Sequence, residues 1–296
     1  MTADAGGVAP AGASPHWLST LLYVPLLLAA GWLLARPLTL LAPPLRPDQV
    51  DLAGLVVTLL LLLATLPWRI RRCWGHRHPW RQLGLAVPST LAISSGLRGL
   101  AVAVLLLLLL TAGLLLSGQA RWLGPVDGAV AANGLVLGLG VGFAEELLFR
   151  GWLWGELQLG GGGRRALLLQ ALIFALVHPW FRAPGLLALA LLGGLALLGL
   201  ALANERRLGA GSLWGAIGLH GGLVGGWFVV QHGLVAIAPQ APGWWVGPGS
   251  GDVNPIGGLS GLIALAALVI AQRTALARAR RPSTGACNAS SSGARP

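Results

Sequence analysis

Glu145 and Glu146 stand side by side in a long apolar stretch of the 296-residue chain and are followed by Leu147, Leu148, Phe149 and Arg150. An ionisable side chain within a bilayer is costly unless it is paired, hydrated or neutralised, and it marks a functional site. Glu146 and Arg150 are four residues apart, the helical spacing of an ion pair. Glu145 lies about 100° round the helix from Glu146, so that pairing leaves it free. Two histidines interrupt other apolar stretches: His178, which ends Phe174-Ala175-Leu176-Val177-His178, and His220, in the glycine-rich run from Gly211 to Gly222. In one cavity, a carboxylate takes a proton from water, one imidazole positions that water and the other stabilises an oxyanion, which is hydrolase chemistry. The same three side chains, Glu145, His178 and His220, are also zinc-ligand types. No His-Glu-x-x-His is present, and no cofactor is expected. The plainer readings are a helix-to-helix hydrogen bond for each histidine and a structural clip for Glu146 and Arg150.

The elements that must position these residues are membrane helices. Hydrophobic residues make up 55% of the chain and charged ones 10%, against about a quarter charged in an ordinary soluble domain. Mean hydropathy is +0.74. The apolar blocks show no strand-like alternation, and in lipid only helices or closed barrels satisfy their own backbone groups. The expected fold is therefore all-α, a polytopic bundle of about eight transmembrane helices, at roughly 17–36, 50–68, 99–117, 129–158, 165–181, 185–203, 212–234 and 256–273. The short connection from Gly160 to Arg165 makes the fourth and fifth spans an antiparallel hairpin. Counting thirteen residues from each side of it puts Glu145 and His178 at one depth, roughly 20 Å from the turn.

All 20 basic residues other than histidine are arginine, giving a net charge of +11. They cluster between alternate spans and after the last one, the positive-inside pattern. Both termini are thus expected in the cytoplasm. Nucleic acid is excluded as a partner, because no basic stripe interleaved with aromatics is present; the expected partners are membrane lipids and a peptide or membrane-associated protein. Cys73 and Cys287 make neither a disulfide framework nor a metal or redox pair. Glu156, Glu205, His76 and His78 read as hydrated groups near the cytoplasmic surface, and His16 and His232 as boundary residues. Trp244 and Trp245 mark an interfacial loop on the opposite side. The chain divides into a disordered N-terminus (1–16), N-terminal helices (17–128), core helices with the candidate residues (129–234), the loop and last helix (235–273), and a basic, disordered tail (274–296).

The order Glu-Glu-x-x-x-Arg, then Phe-x-x-x-His, then a histidine in a later span, resembles the CPBP family of intramembrane glutamic endopeptidases, the CAAX prenyl proteases and bacteriocin-processing or self-immunity proteins. The similarity runs from about Gly142 to Trp227. It implies that Glu145 is the general base, that His178 holds the attacking water and that His220 contributes to the oxyanion site. Glu146 and Arg150 take the supporting positions, and the protein would lie in a bacterial plasma membrane. The family's last motif has Asn or Asp four residues after the histidine, and here that position is Val224. Valine donates no hydrogen bond, so either another group substitutes, or activity is weak, or the fold serves as a membrane scaffold or immunity factor.

Overall fold

The computed structural model describes residues 15–40, 45–249 and 252–280. Most of the two expected disordered ends, and Cys287 with them, lies outside the described residues. The helices are α1 (Trp17–Ala35), α2 (Pro47–Arg69), α3 (Ser89–Leu116), α4 (Gly128–Glu146), α5 (Trp154–Gly161), α6 (Gly163–Val177), α7 (Leu186–Leu208), α8 (Trp214–Val229) and α9 (Leu259–Ala279). The chain is an all-α polytopic membrane bundle. Among the described residues, six helical stretches are long and apolar enough to cross a membrane: Trp17–Leu40, Pro47–Trp74, Ser89–Leu116, Gly128–Gly161, Leu186–Leu208 and Leu259–Ala279. The segments expected as the fifth and seventh spans form the shorter helices α6 and α8, of 15 and 16 residues. Leucines on the bundle's outside, such as Leu26 at 63% and Leu135 at 63% exposure, face lipid.

Local chemistry sets the boundaries. Asp127 caps α4 by accepting from the Ala129 N–H at 2.7 Å, and Gly162, at φ 77°, breaks the chain between α5 and α6. Helix α3 begins ten residues before the expected Gly99. Its first turns look too polar for lipid, but Ser95 returns its hydroxyl to the Leu91 carbonyl at 2.6 Å and meets Ser212 at 3.0 Å, so the polar groups satisfy one another. Helix α9 likewise runs on to Ala279, through the start of the expected tail. A three-residue antiparallel ladder, β1 (Ala120–Trp122) with β2 (Val235–Ile237), pairs Ala120 with Ile237 and Trp122 with Val235; no alternation announced it.

Helix α8 is the centre of the bundle, gripped between α3 and α4 by glycine. A Cβ on Gly142 would stand 2.8 Å from Gly221 Cα, and one on Gly138 2.5 Å from the Gly221 carbonyl oxygen. On the other face, one on Gly99 would stand 2.0 Å from the Gly215 carbonyl oxygen and one on Gly218 2.3 Å from that of Gly96. Small residues at four-residue spacing let membrane helices approach backbone to backbone.

Two expectations about charge are overturned. Glu156 is buried, held bidentately by Arg69 at 2.8 Å from each nitrogen, with further donations from Thr20 at 2.5 Å and Trp74 at 3.1 Å. Glu205 is also buried, 2.6 Å from Arg98 Nε and 3.1 Å from Gln272 Nε2. Both sit near helix ends, where a solvated charge was the simplest reading. Their arginine partners, 87 and 107 residues away in sequence, remove the need for water. Arg98, which the expected span from 99 to 117 leaves outside, is part of α3.

Candidate active site

Helix α4 ends at Glu146, and the chain continues as a π-helical segment, Leu147–Leu153, before α5. Its wide turn is visible in the Trp154 N–H donating to the Phe149 carbonyl, five residues back. Such segments occur mostly as short bulges within α-helices, frequently at functional sites. The carbonyl of Arg150 is turned out of the helix and accepts from Arg206 of α7.

Glu146 and Arg150 are both fully buried and form the expected pair, with Oε1 2.8 Å from the guanidinium. The same Oε1 also lies 2.8 Å from His220 Nδ1, a contact not foreseen from spacing. A carboxylate shared with an arginine accepts, so Nδ1 of His220 donates and Nε2 is the nitrogen left to point away. Nε2 stands 3.9 Å from Oε2 of Glu145. His178, just beyond the end of α6, brings its Nδ1 to 2.6 Å from the Phe174 carbonyl, which can only accept. Its Nε2 is then also directed onward, 3.5 Å from the same Glu145 oxygen. Both imidazoles thus turn their Nε2 atoms towards one carboxylate.

The chain has four glutamates. Glu146 is paired with Arg150, Glu156 with Arg69 and Glu205 with Arg98. Glu145, the fourth, has only histidines within ion-pair range among the described residues and keeps 29% of its side chain exposed. It lines a cavity of about 450 Å³ together with His178 and His220. The walls are otherwise mostly apolar, from Leu106 and Leu107 of α3 to Leu198 of α7 and Leu265 of α9, and Val224 lies in them. Glu145 and the two histidines are metal-ligand types, but among the described residues no group of three His, Cys, Asp or Glu side chains is gathered closely enough to hold a metal ion.

Phe174 locks the arrangement. Its buried ring is 4.5 Å from the His178 ring, 5.9 Å from the His220 ring and 5.1 Å edge-on from Phe149, with the Arg150 guanidinium 4.1 Å above it. Gln170, one turn earlier, is fully buried and donates to the Gly199 carbonyl at 3.2 Å, beside Arg150 at 3.4 Å from the same oxygen. Sequence reasoning passed over Gln170. Its signal was a polar residue eight positions before His178, on the same face of an apolar helix. Arg206 was passed over too, since its acceptors are carbonyls of Arg150, Gln82 and Gly211, distant in sequence or backbone only.

These residues place a free carboxylate, two oriented imidazoles and a closed ion pair beside an apolar cavity. Residues 3–78 match a domain of unknown function, DUF8676. Residues 127–225, which include Glu145, Glu146, Arg150, His178 and His220, match the model described as type II CAAX prenyl endopeptidase, Rce1-like. No curated protein and no solved structure matches the chain. At residues 127–225 the chain therefore carries a domain of the Rce1-like type II CAAX prenyl endopeptidase family, within an integral membrane bundle, and is of the intramembrane endopeptidase kind.

Proposed function

We propose that the protein hydrolyses a membrane-proximal peptide bond with water activated by Glu145. The observation that carries this is that, among the described residues, Glu145 alone of the four glutamates has no arginine partner and instead faces His178 and His220 in the cavity. Glu145 takes a proton from water as the oxygen attacks the scissile carbonyl carbon, and His178 holds that water at Nε2. His220 then faces the carbonyl oxygen as it becomes an oxyanion. An Nε2–H on His220 donates there, the ring being held at Nδ1 by Glu146 in the way a buried carboxylate orients a catalytic histidine. Glu145 returns the proton to the leaving nitrogen as the C–N bond breaks. No metal takes part in this scheme.

Residues 129–234 are the catalytic core in this reading, with 17–128 and 235–273 as its membrane frame. The arginine-rich helix ends lie in the cytoplasm with both termini, in a bacterial plasma membrane. The substrate is a peptide or a membrane-associated protein. The test is cleavage of an internally quenched, S-farnesylated CAAX peptide by the full chain in liposomes. Glu145→Gln is expected to reduce the rate to background; wild-type turnover by that variant refutes the reading.

Val224 favours a second reading, a non-catalytic scaffold or immunity factor of the same fold. Full complementation of a deletion strain by the Glu145→Gln, His178→Ala, His220→Ala triple variant would establish it.

A further inference from the structure

We propose that Asn254 supplies the amide N–H donor that Val224 lacks, holding the substrate's scissile carbonyl oxygen in the Glu145 cavity. This rests on the endopeptidase reading above. Five cavity residues carry side-chain N–H groups: His178, His220, Trp227, Gln231 and Asn254. Trp227 is committed to the Val253 carbonyl at 2.8 Å, and Gln231 to Asp252 at 3.4 Å. The histidines have one nitrogen each engaged and the other directed to Glu145. Asn254 differs. The backbone N–H of Ile256 donates to its Oδ1 at 3.2 Å, which fixes the amide's orientation and leaves its NH2 without an acceptor among the described residues.

Depth places this amide near the reacting end. Helices α6 and α7 are antiparallel and touch where a Cβ on Gly199 would stand 2.9 Å from Ala171 Cα. Seven residues along each from that contact, His178 is level with Leu192. On the same stretch of α7, a Cβ on Gly194 would stand 2.1 Å from the Ile256 carbonyl oxygen, and one on Gly257 3.0 Å from Leu191 Cβ. The turn that Asn254 opens therefore packs on α7 at the depth of His178. Its backbone is pinned by donation to the Pro248 carbonyl at 2.8 Å. Asn254 also lines a second cavity of about 810 Å³ with Pro179 and Arg182, so it stands where the two cavities share a wall. Val224, one turn beyond His220 on α8, lines the inner cavity with methyl groups. The donor has moved from α8 to the loop before α9.

The test uses the full chain in liposomes and the same S-farnesylated quenched peptide. Asn254→Gly is tolerated at a cap position, where Gly costs little against Asn, and leaves no side-chain donor there. We expect kcat to fall about 10²-fold, the scale for losing one oxyanion donor, with KM nearly unchanged. Adding Val224→Asn to that variant is expected to recover about tenfold or more of kcat, which repair of a merely structural defect would not do. A kcat for Asn254→Gly equal to wild type, or a loss that Val224→Asn leaves untouched, overturns the assignment. A wild-type protein no faster than Glu145→Gln instead sinks the endopeptidase reading, and this one with it.

Discussion

The two adjacent glutamates have opposite surroundings, so they should fail differently when neutralised. Glu145→Gln removes a carboxylate that no arginine holds; activity is expected to vanish while the unfolding midpoint in detergent stays near wild type. Glu146→Gln strips the partner from a fully buried Arg150 and from His220 Nδ1. Breaking a buried pair from one side costs about 3–5 kcal/mol, so this variant should lose both stability and activity. Equal stability of the two variants would contradict the division of roles. Much of this was legible in the sequence, because helical spacing alone separates Glu145 from the Glu146–Arg150 pair and matched depth brings His178 to it. What spacing does not report is a partner on another helix. The Glu146–His220 contact spans 74 residues, and the burial of Glu156 and Glu205 depends on arginines farther off still.

At the scale of elements, the site exists because α8 lies against α4 at backbone distance. Gly138→Leu would drive a branched side chain into the Gly221 backbone, where even a Cβ has 2.5 Å. It is expected to separate the helices, remove His220 from Glu146 and abolish cleavage, although position 138 is two turns from Glu145. Gly140, on the same helix with nothing near its Cβ, should accept leucine with activity kept. Cleavage assays on the two variants check this. The sequence showed the glycine-rich run from Gly211 to Gly222, yet which glycines touch backbone depends on how three helices are rotated, and apolar periodicity is weak in helices surrounded by lipid. The same weakness explains the misplaced start of α3 and the unannounced π-helical segment after Glu146.

For the whole molecule, the N-terminal hairpin of α1 and α2 is tied to the core by a polar fastening, Arg69 and Trp74 on Glu156 of α5, and by apolar packing of Leu62, Leu66 and Tyr23. Arg69→Ala leaves that carboxylate buried and unpaired. The variant is expected to unfold about 3–5 kcal/mol more easily and to release the hairpin to limited proteolysis before the rest. Orientation has its own check. A single cysteine at Arg278, with Cys73 and Cys287 changed to serine, should be protected from a membrane-impermeant maleimide in intact cells and labelled in inverted vesicles. The reverse pattern would place the arginine-rich ends outside. The class was readable because composition and block length report it directly; the count was not, since eight spans were expected and six helical stretches among the described residues are long and apolar enough to cross a membrane.

The small ladder between β1 and β2 constrains how such a site can open. It joins the chain just before α4 to the chain just after α8, while the glycine contacts join the same two helices along their length. Two fastenings so far apart resist sliding of one helix past the other, because any shift would break both at once. Shear of α4 past α8 is thereby resisted, and with it any shift that would draw His220 away from Glu146. A disulfide locking Ala120→Cys to Ile237→Cys across the ladder should leave turnover unchanged.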